Sequence, residues 1–312
     1  MADIVTVTPN PAVDLSTSVE KISPTDKLRG TSQRRDPGGG GVNVARVVQR
    51  LGGKVCAIYP VGGAMGLLLR QLLDHETVAS RTFAIAVETR EDFFVSETST
   101  GRHYRFILPG PGLREGEWRD CLKLISALEP FPRFVVASGS LPPGVPDDFY
   151  ARVARIAKQR GARTILDTSG KALAAAVEEG VDLIKPNLRE MRELSGSDPF
   201  DAREWEEAAR NIIRTKPVSA IALTMGHLGA SLLTQDRILR AKPLAIVPLS
   251  AVGAGDSFLG ALVWQFAMGS DLKECFRQAV AAGAAALLNS GTELCRPQDV
   301  ARLATEVSLE EL

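Results

Sequence analysis

The sequence predicts an α/β fold: a mostly parallel central sheet with helices on both faces. Two observations lead there. Short β-branched runs alternate with apolar runs at helical spacing through most of the 312 residues, the order that successive βαβ units impose. An apolar share of 45% against 24% charged in a chain of this length supplies a large soluble core, and no apolar stretch reaches the roughly 20 residues of a membrane span.

Each element has its own signal. IVTVT (4–8) is a β-branched buried strand. VNVARVVQRL (42–51) has apolar residues at helical spacing and stops at Gly52 and Gly53. VCAIYPVG (55–62) is a strand with its turn, and MGLLLRQLLDH (65–75) is a helix. RFVVASGS (133–140), a helix over 147–160, RTILDTS (163–169), a helix over 171–179, DLIKPN (182–187) and a helix from 188 repeat the scheme. AIALTMG (220–226) and ASLLT (230–234) are late strands, and helices over 257–268 and 273–288 finish the core. Two stretches break this rhythm. Residues 15–37 are polar and mixed, and residues 87–108 read as a β-hairpin turning at Thr100-Gly101. Together they predict a small β-sheet extension outside a core of residues 1–14, 38–86 and 109–312, either a lid over a site or a peripheral hairpin with no role.

Charge and composition narrow the function. Lys plus Arg equals Asp plus Glu at 37 each, so nothing in the bulk charge calls for nucleic acid or a membrane surface, and an anion site has to be local. The start MADIVTVTPNP lacks the basic residues and apolar stretch of a signal peptide, which places the protein in the cytoplasm. Cys56, Cys121, Cys275 and Cys295 lie far apart without C-x-x-C spacing, so free thiols are expected rather than disulfides. His75, His103 and His227 do not cluster, which argues against a His-rich zinc site.

Several stretches could carry chemistry. In DPGGGGVNVAR (36–46), four glycines open a helix, either as a plain turn or as a place where a ligand approaches the backbone; Asn43 just inside could bond a hydroxyl. In KPNLRE (185–190), Asn187 and Glu190 share one face of a helix start. They form either a capping box or a pair that orients water on Mg²⁺, with Lys185 adding positive charge. In AVGAGDSFLG (251–260), Gly253 and Gly255 frame a bend that would free N–H groups for an anion, yet Asp256 puts a negative charge there. Asp256 is a helix cap or a base beside a phosphate. Lys27, Arg29, Arg90 and Arg105 lie in the two lid segments, as phosphate-binding or merely surface cations. Asp14 follows the first strand, at the C-terminal edge of the sheet or in an exposed turn.

GGGGVNVAR (38–46), SGSLPPGV (138–145), DTSG (167–170), KPNLRE and AVGAGDSFLGAL (251–262) stand in the order that the ribokinase-like sugar kinases, the PfkB family, show. The resemblance runs from about Asp3 to Cys295. It implies a three-layer αβα sandwich with a β-sheet lid, and ATP and Mg²⁺ as co-substrate and ion. NPAVDLS, KLR at 27–29, TR at 89–90 and YRFILPGP at 104–111 resemble the hexose-phosphate branch. Relatives that act on fructose 1-phosphate or tagatose 6-phosphate typically read G-K-G where this chain has Gly39-Gly40-Gly41. The 6-phosphofructokinases are therefore the favoured branch, and the implied reaction is phosphorylation of fructose 6-phosphate at its 1-hydroxyl.

The resemblance also implies roles. Asp256 is the base, with the N–H groups of Ala254, Gly255 and Asp256, after Gly253, as the anion hole. Asp14, Gly38, Gly39 and Asn43 touch sugar hydroxyls, with Ser138 and Gly139 at the substrate-side turn. Lys27, Arg90 and Arg105 clamp phosphate. Lys185, Asn187 and Glu190 form the nucleotide and Mg²⁺ site, with Glu190 toward the metal. Thr224, Gly226 and Gly229 belong to the ATP-binding turn, and Val280 to Asn289 wall the adenine pocket. His227 in TMGHLG has no counterpart role. Paired lids imply a homodimer.

Overall fold

The computed structural model describes residues 2–289 and 291–312. The chain opens with β1 (Ile4–Val7), β2 (Ala12–Val19), β3 (Arg34–Gly38), α1 (Gly40–Arg50), β4 (Val55–Val61), α2 (Gly63–His75) and β5 (Ala79–Ala84). There follow β6 (Arg90–Glu97), β7 (Arg102–Phe106), α3 (Glu115–Ser126), β8 (Phe134–Ser138), α4 (Phe149–Gln159), β9 (Arg163–Asp167), α5 (Gly170–Glu179) and β10 (Val181–Ile184). The last part holds α6 (Leu188–Ser195), α7 (Ala202–Thr215), β11 (Val218–Thr224), β12 (Ala230–Thr234), β13 (Ile238–Ala241), α8 (Ala254–Met268), α9 (Leu272–Leu287), α10 (Pro297–Ala304) and β14 (Leu309–Glu311).

Ten strands form one sheet in the order β14-β13-β12-β11-β10-β9-β8-β1-β4-β5. From β11 to β5 every neighbouring pair is parallel, and β12 to β14 close the other edge antiparallel. Side chains of a strand alternate between faces, and the core divides accordingly. Ile4 and Tyr59 join the buried side chains of α1, α2, α8, α9 and α10, whereas Val5, Val7 and Ile58 join those of α3 to α7. The result is the three-layer sandwich expected from the resemblance.

A second sheet of four strands, in the order β3-β2-β6-β7, stands apart. In it β2 pairs antiparallel with β3 and parallel with β6, and β6–β7 is the expected hairpin. This sheet includes Ala12 and Gly38, so it reaches a few residues further into the chain than the sequence division drew it. Asp14 accordingly sits inside β2 of the small sheet, not at the end of a strand of the large one. The chain leaves the large sheet after Val7, bends at residues 9–10, and from Ala12 pairs with β3 and β6.

Three further expectations shift. The helix expected from 188 is two helices: Gly196 in the left-handed region (φ 67°) ends α6, and Asp201 caps α7 by accepting from the Arg203 and Glu204 N–H groups. The helix expected over 257–268 starts at Ala254, so Asp256 lies in its first turn and Gly253 holds the N-cap position. Asn289 does not face a pocket: it is buried, and its amide donates to the Ala285 and Leu294 carbonyls. No helix among the described residues is long and apolar enough to cross a membrane, and all four cysteines are free.

Candidate active site

β1 is flanked by β8 on one side and β4 on the other, so the direction of winding reverses beside it. In parallel α/β sheets, ligands settle at the carboxyl ends of the strands at such a reversal. Here the ends of β1, β8, β9 and β10 lead into Thr8–Asn10, Ser138–Ser140, Asp167–Ser169 and Lys185–Asn187, and the first turns of α1 and α8 face them.

The first turn of α8 is built by its glycines. Gly253 takes φ +74°, a left-handed conformation that lets the chain turn into the helix. The first helical bond runs from the Ser257 N–H to the Gly253 carbonyl (2.8 Å), and the N–H groups of Ala254, Gly255 and Asp256 have no backbone partner among the described residues. These three donors at a helix N-terminus form a ready anion site. Asp256 does not cap the helix; its Oδ2 accepts from Asn43 Nδ2 (2.9 Å). That contact depends on α1 and α8 crossing closely at Gly260, where an added Cβ would come within 2.6 Å of Val47 and 3.2 Å of the Val44 carbonyl. Arg46, fully buried, holds Asn43 in turn: its Nη1 donates to Asn43 Oδ1 (3.2 Å) and to the Pro37 carbonyl (2.8 Å), and its Nη2 to Glu76 (2.6 Å).

Two cavities meet at this helix turn. One, of about 170 Å³, is polar and lined by Gly40, Ser138, Gly139, Ser140, Asp167–Ser169, Glu190 and Asp256. The other, of about 370 Å³, has Asn187, Thr224, Gly226 and Gly229 along one side and Ala254, Gly255, Phe258, Val280, Ala284 and Leu287 along the other. Lys185 stands between them. Its Nζ pairs with Asp167 (3.1 Å) and lies against Gly255. Burial pulls the ammonium down, but Asp167 and Glu190 outweigh it and hold the pKa above its usual value, so Lys185 is a cation there.

The acids respond to the same crowding. Burial first, then the charge of Asp167, pushes Asp256 up to about 6, against the Asn43 hydrogen bond, Lys185 and Arg105. Asp256 is therefore ionised at neutral pH and poised to take a proton. Glu190 is also raised, by burial and by Asp167. Its Oε2 accepts from the Asn187 N–H (3.0 Å) while Asn187 Oδ1 accepts from the Glu190 N–H (3.0 Å), so the capping box is real. It leaves Oε1 of Glu190 without a hydrogen-bond partner among the described residues. Asp167, Glu190 and Asp256 line one small cavity beside a single lysine. Among the described residues no three acidic, histidine or cysteine groups converge tightly enough to hold a metal ion alone, so these carboxylates suit only an ion such as Mg²⁺ that keeps most of its ligands as water.

A second group sits at the root of the small sheet. Asp14, 5% exposed, packs against Gly38 and has no hydrogen bond to any described residue. Burial first, then Asp92, pushes it up to about 7, with Asp36 adding and Arg46 and Arg90 opposing. Arg90 Nη1 donates to the Leu108 carbonyl (2.9 Å) and Nη2 to that of Asn10 (3.3 Å), while its buried Nε has no partner among the described residues. Arg105 lies over the Phe94 ring at 5.1 Å. Gly39 holds the N-cap position of α1 against Pro11 and Thr8, one residue before Gly40 of the polar cavity. Ser138 Oγ is buried without a partner among the described residues. Lys27 is exposed and makes no hydrogen bond or ion pair there, so its expected place beside phosphate is not formed by any contact.

Sequence reasoning missed several neighbours. Asp167 was in view inside DTSG but carried no role. Arg46, Asp36 and Asp92 matter only through strand register and tertiary packing. The loop 242–251, which covers the apolar cavity with Lys242, Pro243, Leu244 and Ile246, has no periodic signal.

Comparison with known proteins agrees with this fold. The profile of the pfkB family carbohydrate kinases matches residues 5–299. A protein of Mycobacterium tuberculosis named ATP-dependent 6-phosphofructokinase isozyme 2 is 43% identical over 96% of this chain and 88% of its own length. The Escherichia coli protein of that name is 37% identical over 97% of this chain and 98% of its own. The crystal structure of phosphofructokinase-2 from Escherichia coli in complex with fructose-6-phosphate superposes with a TM-score of 0.92 at 35% identity, over 98% of this chain and 99% of that one. The chain belongs to the pfkB family of carbohydrate kinases.

Proposed function

We propose that the protein is an ATP-dependent 6-phosphofructokinase, transferring the γ-phosphate of ATP to the 1-hydroxyl of fructose 6-phosphate to give fructose 1,6-bisphosphate. The observation that carries this reading is Asp256, a carboxylate with raised proton affinity placed beside three N–H groups without a backbone partner among the described residues, where two cavities meet. An anion site meant only to hold phosphate gains nothing from a carboxylate. Phosphoryl transfer to an alcohol needs both.

The apolar cavity takes the adenine, with Val280, Ala284 and Leu287 against the base, and its phosphates run toward Gly255 and Lys185. The hexose phosphate fills the polar side. Asp14 accepts from sugar hydroxyls, and Gly38, Gly39 and Ser138 shape that surface. Arg90, whose Nε has no partner among the described residues, and Arg105 reach the 6-phosphate, with Lys27 joining them once substrate is bound. Asn43 holds Asp256 so that Oδ1 faces the 1-hydroxyl. As the hydroxyl oxygen bonds to the γ-phosphorus and the bond to ADP breaks, its proton passes to Asp256. The N–H groups of Ala254, Gly255 and Asp256 bind the transferring phosphoryl oxygens. Glu190 and Asp167, beside Asn187, would hold Mg²⁺, which when bound neutralises phosphate charge. The free cysteines fit a cytoplasmic enzyme.

Relatives that read fructose 1-phosphate or tagatose 6-phosphate are the competing substrate assignments. With ATP and Mg²⁺, fructose 6-phosphate should give a kcat/KM at least about tenfold above either, with NMR placing the new phosphate on C1. A higher kcat/KM for fructose 1-phosphate overturns the substrate assignment.

The small sheet acts as a lid, and we place a homodimer contact on it. Phe106 (53%), Ile107 (51%) and Leu28 (42%) are exposed on or beside this sheet, and β3 and β7 are its edges. Apolar exposure next to open strand edges fits a second copy of the chain. Sedimentation velocity at micromolar concentration should give a dimer, and Phe106→Asp should shift it toward monomer. A wild-type monomer removes the contact.

A further inference from the structure

Asp36, Asp14 and Asp92 stand side by side on three strands. Strand register pairs Asp14 with Asp36 on antiparallel β3 and with Asp92 on parallel β6, and neighbouring strands lie about 4.7–4.9 Å apart. All three are buried. Like charges opposed on a sheet repel, so the row needs cations, and the cations are shared unequally. Asp36 accepts from Arg34 Nη2 (2.9 Å) and Thr292 Oγ1 (2.9 Å) and faces Arg46 Nη2 (3.7 Å). Asp92 accepts from the Leu108 N–H (2.9 Å) and faces Arg90 Nη1 (3.4 Å). Asp14, between them, has no hydrogen bond to any described residue. Every charged group that bears on it belongs to this arrangement: Asp92 and Asp36 on the neighbouring strands, Arg46 from α1 and Arg90 from β6.

We propose that Asp36 and Asp92 are positioning residues that hold the arginines off Asp14, leaving it an uncommitted buried carboxylate whose only good donors are the hydroxyls of the hexose phosphate. The inference rests on the reading of Asp14 as a sugar contact. An arginine bonded to Asp14 would satisfy it in the empty protein and compete with the sugar, and polar groups left unpaired without substrate are how a site selects a hydroxyl. The raised proton affinity of Asp14 is the same fact seen in titration. At neutral pH its charge is held only against the repulsion of its neighbours, and it protonates as pH falls through 7, losing an acceptor for the sugar.

The test uses Asp92→Asn in the full-length protein. Asparagine keeps a side-chain oxygen for the Leu108 N–H and removes only the charge. The dissociation constant for fructose 6-phosphate is measured by calorimetry from pH 5.5 to 8.5, beside kcat from initial rates. The substrate's own phosphate titrates identically for every variant, so only differences between variants are read. With Asp92 neutral and Arg90 released toward Asp14, the acid limb of binding should move down by about one pH unit. The dissociation constant at pH 8 should rise about tenfold, with a much smaller change in kcat. Asp36→Asn, bordering Asp14 from the other strand, should move the limb the same way and serves if the first variant folds poorly. A limb that stays at the wild-type pH in both variants overturns the positioning role. Asp14→Asn separates the two readings: it should weaken binding at least about a hundredfold and erase the difference in limb. Unchanged affinity in that variant overturns the sugar contact itself.

Discussion

Asp256→Asn should lower kcat at least about a thousandfold while the affinities for ATP and hexose phosphate stay within a few-fold. The side chain keeps its shape and its place beside Asn43, so binding surfaces survive. What disappears is the acceptor for the 1-hydroxyl proton, which is needed only as the new P–O bond forms. The wild-type enzyme should also lose kcat as pH falls through about 6, where Asp256 takes up its proton. The sign is set by the raised pKa: the base is ionised and competent above that value, protonated and inert below. Initial rates across pH with saturating ATP, Mg²⁺ and sugar phosphate read both effects. A variant that turns over at the wild-type rate would remove Asp256 from the chemistry, whereas a wild-type protein that binds both ligands without turnover would favour a silent sugar-phosphate sensor.

Arg46→Met should destabilise the fold by about 3–5 kcal/mol, the cost of leaving buried carboxylates without their cation. Arg46 is fully buried and ties the Pro37 carbonyl, Asn43, Glu76 and Asp36 to one guanidinium. Burial pushes Glu76 up, yet its bonds to Arg46 and Arg50 leave it below its ordinary value. A carboxylate lowered in the folded state contributes stability above its unfolded pKa and gives it up as pH falls through the folded one. The defect of Arg46→Met should therefore be largest near neutral pH and narrow in acid. Urea unfolding midpoints at pH 7.5 and 4 measure it. A change under about 0.5 kcal/mol, the range of an ordinary surface substitution, would mean that the surrounding carboxylates find other partners.

The alternation of strand and helix was legible because each parallel strand is covered on both faces and so reads as an unbroken apolar run. Where that cover is lacking, the signal fades. β5 is an edge strand with the sequence ASRTFA and an exposed outer row, and β13 and β14 are short antiparallel additions whose pairing no local pattern announces. The split of α6 from α7 hung on one glycine. In the site, the glycine-flanked Asp256 and the Asn187–Glu190 pair were visible because each is local in sequence. The contact between Asn43 and Asp256 spans 213 positions and exists only because α1 and α8 pack closely. The aspartate row is further still from sequence logic, since a shift of register by one residue would have turned its members to the opposite face.

The placement of β2 has one more consequence. Ala12 is the register partner of both Gly38 and Arg90, so Asp14, Gly38 and Arg90 are fixed to one another by ladder hydrogen bonds at the foot of the small sheet. Asp256 and its N–H groups belong to α8, which shares one core with α1 and α9. Asp14 and Arg90 thus belong to the small sheet and Asp256 to the core, and the chain passes between the two at the bend over residues 9–10 and at the glycines after Pro37. Because α1 follows β3 with one residue between them and crosses α8 closely at Gly260, the packing of those two helices fixes the distance between the two groups.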